Sequence, residues 1–386
     1  MEPEEGAGTG GLEICAPRAG SRAGADAVQA MGLCGDGGAV ARAEVSFNGL
    51  GRWPPQKHTY AALDLGTNNC RLLIARAAPA GGGQDGFRVI DSFSRIVRLG
   101  EGLSRTGALS AAAIERTLRA LEICRDKMHA RGVTRARLIA TEACRSASNS
   151  AEFLARVREA TGLELEIVDR ETEARLAAAG SVSLIDAAAE NAVLFDIGGG
   201  SSELVWLARS AAPCVRSSET ALQERIRFWV SLKLGVVTLA EEFGGIEVTG
   251  TTFEAMVEYV VRELGGFVAM AGGERRCRNF HLLGTSGTVT TIAGVFLGLN
   301  RYDRRRVDGL WMSSGQVDLA VASLRKMTYA ERAANGCIGE TRADLVLAGC
   351  AILEAIRRAF PAERVRIADR GLRDGILIQL MSADRN

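Results

Sequence analysis

The sequence has little that would recruit a large charged partner or a membrane. Its 47 Lys and Arg residues nearly balance 46 Asp and Glu residues, which leaves a formal net charge of +1. Such a chain has no global field to attract nucleic acid, so we expect no nucleic-acid partner. No apolar run approaches the roughly 18 residues that a membrane span needs, and the acidic N-terminus is unlike a secretion signal. We therefore expect no membrane association.

Histidine is scarce, and cysteine follows no metal-binding pattern. The three histidines, His58, His129 and His281, are far apart in the sequence and give no support to a zinc site or a histidine-based triad. The nine cysteines include no C-x-x-C pair, and an odd number cannot all pair within one chain. These features indicate a reducing compartment, so we predict a cytoplasmic protein.

Length and patterning predict two domains preceded by a tail. A chain of 386 residues is too long for one ordinary domain. Residues 1–57 are rich in Gly and Ala and lack apolar periodicity, so we predict a disordered tail there. Strands and helices then alternate, which is typical of α/β proteins. We assign residues 58–178 and 179–386 to a first and a second domain, and we leave open whether the last helix returns to the first domain.

An internal repeat relates two strand–turn–strand segments. DLGTNNCRLLIA begins at Asp64 and DIGGGSSELVWL begins at Asp196, an offset of 132 residues between positions 64 and 196. In each segment an apolar strand ends in Asp and turns through Gly, which adopts backbone conformations that other residues avoid. A repeat of domain size indicates two related halves that bring these loops to a shared cleft.

The repeated loops have features of phosphate-binding turns. Unblocked N–H groups beside Gly can wrap a phosphate, and the carboxylates of Asp64 and Asp196 can hold a divalent cation. A pair of plain hairpin turns is the alternative. A third loop at residues 284–288, GTSGT, lies between a predicted strand and a predicted helix. Its N–H groups suit another phosphate, although the pattern also fits a capped helix start.

Seven sequence blocks give the chain a resemblance to a known family. They are DLGTNNCRLLIA, ATEACRSASN, DRETEARL, DIGGGSSEL, KLGVVTL, GTSGTVTTIAGV and ADRGLRDGIL, and they run from about Tyr60 to about Leu380. In this order they resemble the exopolyphosphatase and guanosine pentaphosphate phosphohydrolase (Ppx/GppA) family. The resemblance implies an α/β fold of the actin, sugar kinase and heat-shock chaperone ATPase type, with duplicated ribonuclease H-like halves and an active cleft between them.

The resemblance also implies roles for individual residues. Glu173 is implied as the base that activates water, Glu203 as a second essential carboxylate, and Asp64 and Asp196 as holders of cation and water. The loops and the resemblance together give these expected phosphate contacts: Gly66, Thr67, Asn68, Arg71, Arg145, Gly198, Gly199, Gly200, Ser201, Gly284, Thr285, Ser286, Gly287, Thr288 and Arg342. Mg²⁺ is the expected cofactor, with another divalent cation or a monovalent ion left open. A homodimer is also left open.

The chain departs from the family pattern at four positions. Asn69 and Ser286 stand where Ser and Gly are expected, Thr172 where a neighbouring Glu is common, and Asp308 where His is frequent. Asp308 adds negative charge near the expected polyanion path. The sequence ends just after the DRGLRDGIL block, so it resembles the short members without extra C-terminal helical domains.

Three functions stay open at this point. The first is a Mg²⁺-assisted phosphohydrolase that releases terminal phosphate from inorganic polyphosphate or guanosine pentaphosphate, two substrates that the sequence does not separate. The second is a sensor that binds polyphosphate or an alarmone without turnover. The third is a kinase of the same superfold, because a fold alone does not decide function. Glu173 and Glu203 favour hydrolysis over the sensor.

Overall fold

A computed structural model describes residues 13–15, 58–78, 86–209, 219–272 and 279–384. Of the tail predicted at residues 1–57, only Glu13–Cys15 lies within these ranges, where it forms a short strand. The rest of that prediction lies outside the described residues. No helix in the described ranges is long and apolar enough to cross a membrane.

The strands form two mixed sheets. They are β1 (Glu13–Cys15), β2 (Thr59–Leu65), β3 (Asn69–Ala77), β4 (Phe87–Ile96), β5 (Arg135–Ala140), β6 (Glu166–Ile167), β7 (Asn191–Ile197), β8 (Ser202–Ala208), β9 (Ile226–Leu232), β10 (His281–Thr285), β11 (Trp311–Ser313) and β12 (Arg364–Ile367).

Helices connect and cover the sheets. They are α1 (Leu103–Thr106), α2 (Ala111–Ala130), α3 (Glu142–Ser146), α4 (Ser150–Thr161), α5 (Arg170–Ser181), α6 (Glu219–Arg225), α7 (Val236–Phe243), α8 (Gly250–Glu263), α9 (Gly265–Ala271), α10 (Gly287–Phe296), α11 (Arg304–Val307), α12 (Ser314–Lys326), α13 (Tyr329–Ala334), α14 (Val346–Ala359) and α15 (Leu372–Ala383), with 3₁₀ turns at Val182–Leu184 and Glu340–Arg342.

The two sheets have the same central topology. The first has the strand order β4-β3-β2-β5-β6, and the second has β1-β9-β8-β7-β10-β12-β11. In each, an antiparallel hairpin, β2–β3 or β7–β8, lies beside a parallel neighbour, β5 or β10. The second sheet therefore repeats the first and adds β1 and β11 at its edges. This confirms the predicted duplicated α/β fold.

Strand β2 is central because both of its faces are covered. Successive strand residues point to opposite faces, and here Leu63 and Leu65 pack in the cluster that includes helix α2. Tyr60 and Ala62 pack on the other face in the cluster that includes α15. A strand buried on both faces reads as a continuous apolar run, which is why the segment was recognisable as a strand.

Helices α5 and α15 cross next to the first sheet with their backbones in contact. A Cβ atom added at Gly180 of α5 would lie 2.0 Å from the carbonyl oxygen of Gly371, just before α15. A Cβ added at Gly375 of α15 would lie 2.0 Å from the carbonyl oxygen of Leu176. Because α5 precedes the second sheet and α15 returns to the first, this crossing joins the two halves.

Replacing Gly375 with Ala tests this crossing. The added methyl group meets backbone that has no rotamer with which to move aside, so we expect a loss of about 2 kcal/mol in the free energy of unfolding. Urea denaturation followed by circular dichroism measures it. The matched control is Gly265→Ala at the start of α9, where an added Cβ meets nothing within 4 Å. Equal stability of the two variants would contradict the close crossing.

Candidate functional site

The two repeated loops have the same hydrogen-bonded turn. The Gly66 N–H donates to the Asn69 carbonyl over 2.9 Å, and the Gly198 N–H donates to the Ser201 carbonyl over 2.9 Å. These four residues are related by the same offset of 132 positions that relates Asp64 to Asp196. The repeat read from sequence is therefore also a repeat of local geometry.

The two loops contact each other directly. A Cβ added at Gly199 would lie 3.0 Å from Cβ of Thr67, and one added at Gly200 would lie 2.7 Å from Oγ1 of Thr67. Glycine is thus required at 199 and 200 by close approach. The expectation that these loops need conformations closed to other residues is wrong, because their glycines are absent from the positive-φ glycines of the described chain.

A cleft opens where the loops meet, with about 940 Å³ of space when the open solvent at its mouth is counted. Most of the residues expected at the site lie in its wall, and these are Asp64, Gly66, Thr67, Asn68, Arg71, Glu173, Asp196, Gly198, Gly199, Gly200, Ser201, Glu203, Ser286, Gly287, Thr288 and Arg342. Oδ1 of Asn68 is buried there without a hydrogen-bond partner. A bound water or ligand would supply the missing donor.

Two residues of the third loop lie outside the cleft wall. Gly284 and Thr285 are the last residues of β10. A Cβ at Gly284 would lie 2.5 Å from the Phe195 ring, and Oγ1 of Thr285 donates to the Arg370 carbonyl over 2.7 Å. The structure therefore places these two residues in packing and hydrogen-bond contacts outside the cleft wall.

The same loop ends in a strained helix start. Ser286 caps α10 with φ 97° and ψ 172°, a region that is essentially restricted to glycine. Its Oγ accepts a 3.3 Å hydrogen bond from the Thr288 N–H. Gly287 and Thr288 form the first turn of the helix and line the cleft. The structure thus explains in physical terms why Gly is expected at position 286.

Four carboxylates gather in the cleft. Burial raises the pKa of each: that of Asp64 above its usual range, that of Asp196 to about 6, that of Glu173 to about 7, and that of Glu203 well above its usual range. The charge of Asp64 further raises the pKa of Asp196, and the charges of Glu173 and Asp196 further raise that of Glu203. The enclosure therefore disfavours the ionised forms of these carboxyls, and a bound cation would stabilise those forms.

The two glutamates have different partners. Nη2 of Arg145 lies 2.7 Å from Oε2 of Glu173, and this guanidinium opposes the effect of burial on the pKa of Glu173. Oε1 of Glu203 accepts a hydrogen bond from the Ser231 hydroxyl over 2.8 Å. Glu173 is therefore easier to ionise than Glu203. Arg145, expected as a phosphate contact, lies outside the cleft wall and beside Glu173.

Three arginines have no ion pair within the described part of the chain. A Cβ at Gly287 would lie 3.4 Å from Nη2 of Arg71 and 3.6 Å from Nη1 of Arg342, so these two guanidiniums converge. Burial, and then the charge of Arg71, lowers the pKa of both Arg342 and Arg373. Partly buried guanidiniums that lie close together without a direct ion pair favour an anionic ligand.

Arg373 was missed from the sequence, although it lies in the ADRGLRDGIL block. It is in the first turn of α15, next to the cleft residue Leu372. The block alone does not show that Arg373 is the arginine close to the charges of Asp64 and Arg71. Arg370, in the same block, instead pairs with Asp308, whose Oδ2 lies 3.1 Å from Nε of Arg370. The extra negative charge expected at Asp308 is thus compensated.

Replacing Ser286 with Gly tests the strain at the third loop. We expect the free energy of unfolding to rise by about 1 kcal/mol, because the strained conformation costs more than the weak cap contributes. Thermal unfolding measures it. Ser313→Gly is the matched control, since Ser313 caps α12 at φ −69° with a full capping box, and it should lose a few tenths of a kcal/mol. A loss in both variants would refute the strain.

Comparisons with known proteins agree with this geometry. A model of the Ppx/GppA phosphatase family matches residues 74–384. Exopolyphosphatase 2 of Mycobacterium tuberculosis is 27% identical over 336 residues, covering 83% of this chain and 98% of that protein. The guanosine-5'-triphosphate,3'-diphosphate pyrophosphatase of Aeromonas hydrophila is 29% identical over 330 residues, covering 83% of this chain but only 59% of that protein.

Solved structures give the same result. The Aquifex aeolicus member of the Ppx/GppA family superposes with a TM-score of 0.66 at 26% identity, covering 85% of this chain and 99% of that chain. An exopolyphosphatase from Cytophaga hutchinsonii has the same fold, with a TM-score of 0.73 at 21% identity over 84% of this chain and 98% of that one. Since the family match extends over residues 74–384, which carry most of both sheets and the cleft, the chain belongs to the Ppx/GppA phosphatase family.

Proposed function

We propose that the chain hydrolyses the terminal phosphoanhydride of inorganic polyphosphate or guanosine pentaphosphate and releases phosphate. The observation that carries this proposal is Glu173, a largely buried carboxylate of raised pKa in the same cleft as Arg71 and Arg342, which have no ion pair within the described residues. Membership of a phosphatase family supports it. So do relatives named as an exopolyphosphatase and as a guanosine pentaphosphate hydrolase.

Glu173 would act as the general base. A carboxylate with a pKa of about 7 is well matched to taking a proton near neutral pH, and such a base contributes about 10²–10⁴-fold to the rate. Arg145 contacts Oε2, which leaves Oε1 to take a proton from water. The water oxygen attacks the terminal phosphorus, the bridging P–O bond breaks, and the shortened chain leaves with the bridging oxygen.

The remaining charged groups would hold the substrate. Arg71, Arg342 and Arg373 would spread positive charge over the phosphate oxygens, which suits the planar guanidinium. The two repeated loops would place the terminal phosphate between the halves of the molecule. Catalysis of phosphoryl transfer depends mainly on such positioning and charge stabilisation.

A Mg²⁺ ion fits the donor set as a partner of the substrate. Within the described residues, no group of three or more His, Cys, Asp or Glu side chains is arranged to hold a metal ion alone. Mg²⁺ is usually bound by one or two carboxylates together with substrate phosphates, and Asp64 and Asp196 would be those carboxylates. When bound, the ion would neutralise developing charge on the phosphate oxygens. Another divalent cation or a monovalent ion is the alternative.

Phosphate release by the purified protein tests the proposal. Polyphosphates of several lengths, guanosine pentaphosphate and ATP are each supplied with Mg²⁺, with another cation, or with a chelator. We expect release from at least one of the first two substrates, and loss of release on chelation. Tight binding without release would indicate a sensor, and ATP consumption that depends on an acceptor would indicate a kinase. Either result would overturn the proposal.

Replacing Glu173 with Gln tests the assignment of the base. Gln keeps the shape but cannot accept the proton, so we expect kcat to fall by about 10²-fold or more while the substrate still binds. The control is Glu171→Gln on the same helix, since Glu171 forms an exposed pair with Arg175. Near-normal phosphate release by Glu173→Gln would show that another group is the base.

Replacing Arg145 with Gln tests whether Arg145 lowers the pKa of the proposed base, Glu173. The Arg145 charge lowers the pKa of Glu173, so its loss should raise that pKa and move the acid limb of the pH–rate profile to higher pH. The profile of kcat/KM measures this shift. Arg137→Gln is the control, because Arg137 pairs with Glu166 at the edge of the first sheet. An acid limb that stays in place, or moves to lower pH, would contradict the assignment.

A further inference from the structure

A fifth carboxylate, Glu142, lies behind the cleft wall. It is the first residue of α3 and is only 6% exposed. Its neighbour Thr141 lines the cleft, but Glu142 itself does not. Its Cγ atom lies 3.4 Å from the position that a Cβ at Gly200 would occupy, so the side chain packs against the second repeated loop. Buried carboxylates need partners, and this one has several.

Two arginines and a hydroxyl converge on Glu142. Oε2 accepts hydrogen bonds from Nε and Nη2 of Arg145, at 3.2 and 3.0 Å. Nη2 of Arg170 contacts both carboxylate oxygens, at 3.2 and 3.1 Å. The Ser146 hydroxyl donates to Oε1 over 2.6 Å. A carboxylate with this number of donors is held in one orientation.

These contacts make two ion pairs that cross between α3 and α5. Glu142 of α3 pairs with Arg170 of α5, and Arg145 of α3 pairs with Glu173 of α5. Nη1 of Arg145 also donates to the Val168 carbonyl over 2.8 Å. Each nitrogen of the Arg145 guanidinium therefore has a hydrogen-bond or ion-pair partner. Together these partners fix which carboxylate oxygen of Glu173 the guanidinium contacts.

We propose that Glu142 is a positioning residue for the base, a role that rests on the proposed hydrolysis. It holds Arg145 by Nε and Nη2, so that the guanidinium contacts only Oε2 of Glu173 and leaves Oε1 free for water. Without the Glu142 charge, Glu173 is the carboxylate that remains within ion-pair distance of Arg145. Arg145 then turns toward Glu173 and takes up the oxygen that receives the proton.

This role differs measurably from a merely structural one. A residue that only stabilises the fold affects the midpoint of unfolding and the amount of folded enzyme, but not kcat per folded molecule. A residue that contacts substrate affects KM. A residue that aligns the base affects kcat while KM stays close to normal, because an interaction made in the transition state has been lost.

The test is steady-state kinetics of Glu142→Gln on the substrate that the wild type hydrolyses, with activity expressed per folded molecule. Gln keeps the shape and one acceptor oxygen but loses the charge that holds the two arginines. Because small misplacements of reacting groups lower rates by about this much, we expect kcat to fall about 10- to 100-fold. KM should stay within about twofold of wild type. Glu166→Gln is the matched control, an exposed glutamate of the same half paired with Arg137, and both of its constants should match wild type.

Unchanged kcat in Glu142→Gln, or a raised KM with kcat unchanged, overturns the inference while leaving the proposed function standing. A wild type that releases no phosphate overturns both. If Glu142→Gln does not fold, Glu142→Asp is tested instead. Asp keeps the charge, but its side chain is one methylene group shorter, so the carboxylate lies farther from the two arginines. A lower kcat with KM unchanged in that variant supports the role, and a normal kcat overturns it.

Discussion

The contact between the two repeated loops brings together the charged side chains that line the cleft. Gly199 and Gly200 approach Thr67 so closely that a side chain at either position would meet it. That approach draws the tips of β2 and β7 together and leaves Asp64 and Asp196 sharing one cleft. The raised pKa of both carboxyls follows from this enclosure. Arg71 and Arg342, which have no ion pair within the described residues, line the same cleft.

The duplicated hairpins have diverged in chemistry while keeping their geometry. On the first sheet Arg71 lies opposite Asp64, and on the second Glu203 lies opposite Asp196. Positions 71 and 203 are separated by the same 132 residues as the two aspartates. One half therefore presents a cation at this position and the other presents a carboxylate. Arg71 and Glu203 both line the cleft, so the duplication places a cationic and an acidic side chain at equivalent positions of one site.

Local pattern predicted much of this arrangement, and long-range packing decided the rest. The hairpins at Asp64 and Asp196 were readable because buried apolar runs ended in Asp and Gly. The direction of Arg145 was not readable, because it depends on Glu142 in the same short helix and Glu173 in another helix. The place of Gly284 outside the cleft wall was not readable for a similar reason, since the Phe195 ring beside it comes from a neighbouring strand. Spacing along the chain shows which residues are near each other, but not which way each side chain turns.

The return of α15 to the first sheet has a consequence for protein synthesis. Leu372, Ile376 and Leu377 complete the apolar cluster on one face of β2, and the Tyr60 hydroxyl donates to Asp384 over 3.0 Å, across 324 positions of sequence. While the ribosome is still translating the second half, α15 is not yet available to cover that face of the first sheet. The first half therefore cannot complete its core before the second half has been made. N-terminal domains usually fold first during translation, so this chain differs from them. The apolar residues that α15 covers therefore stay exposed on the nascent chain until this final helix emerges.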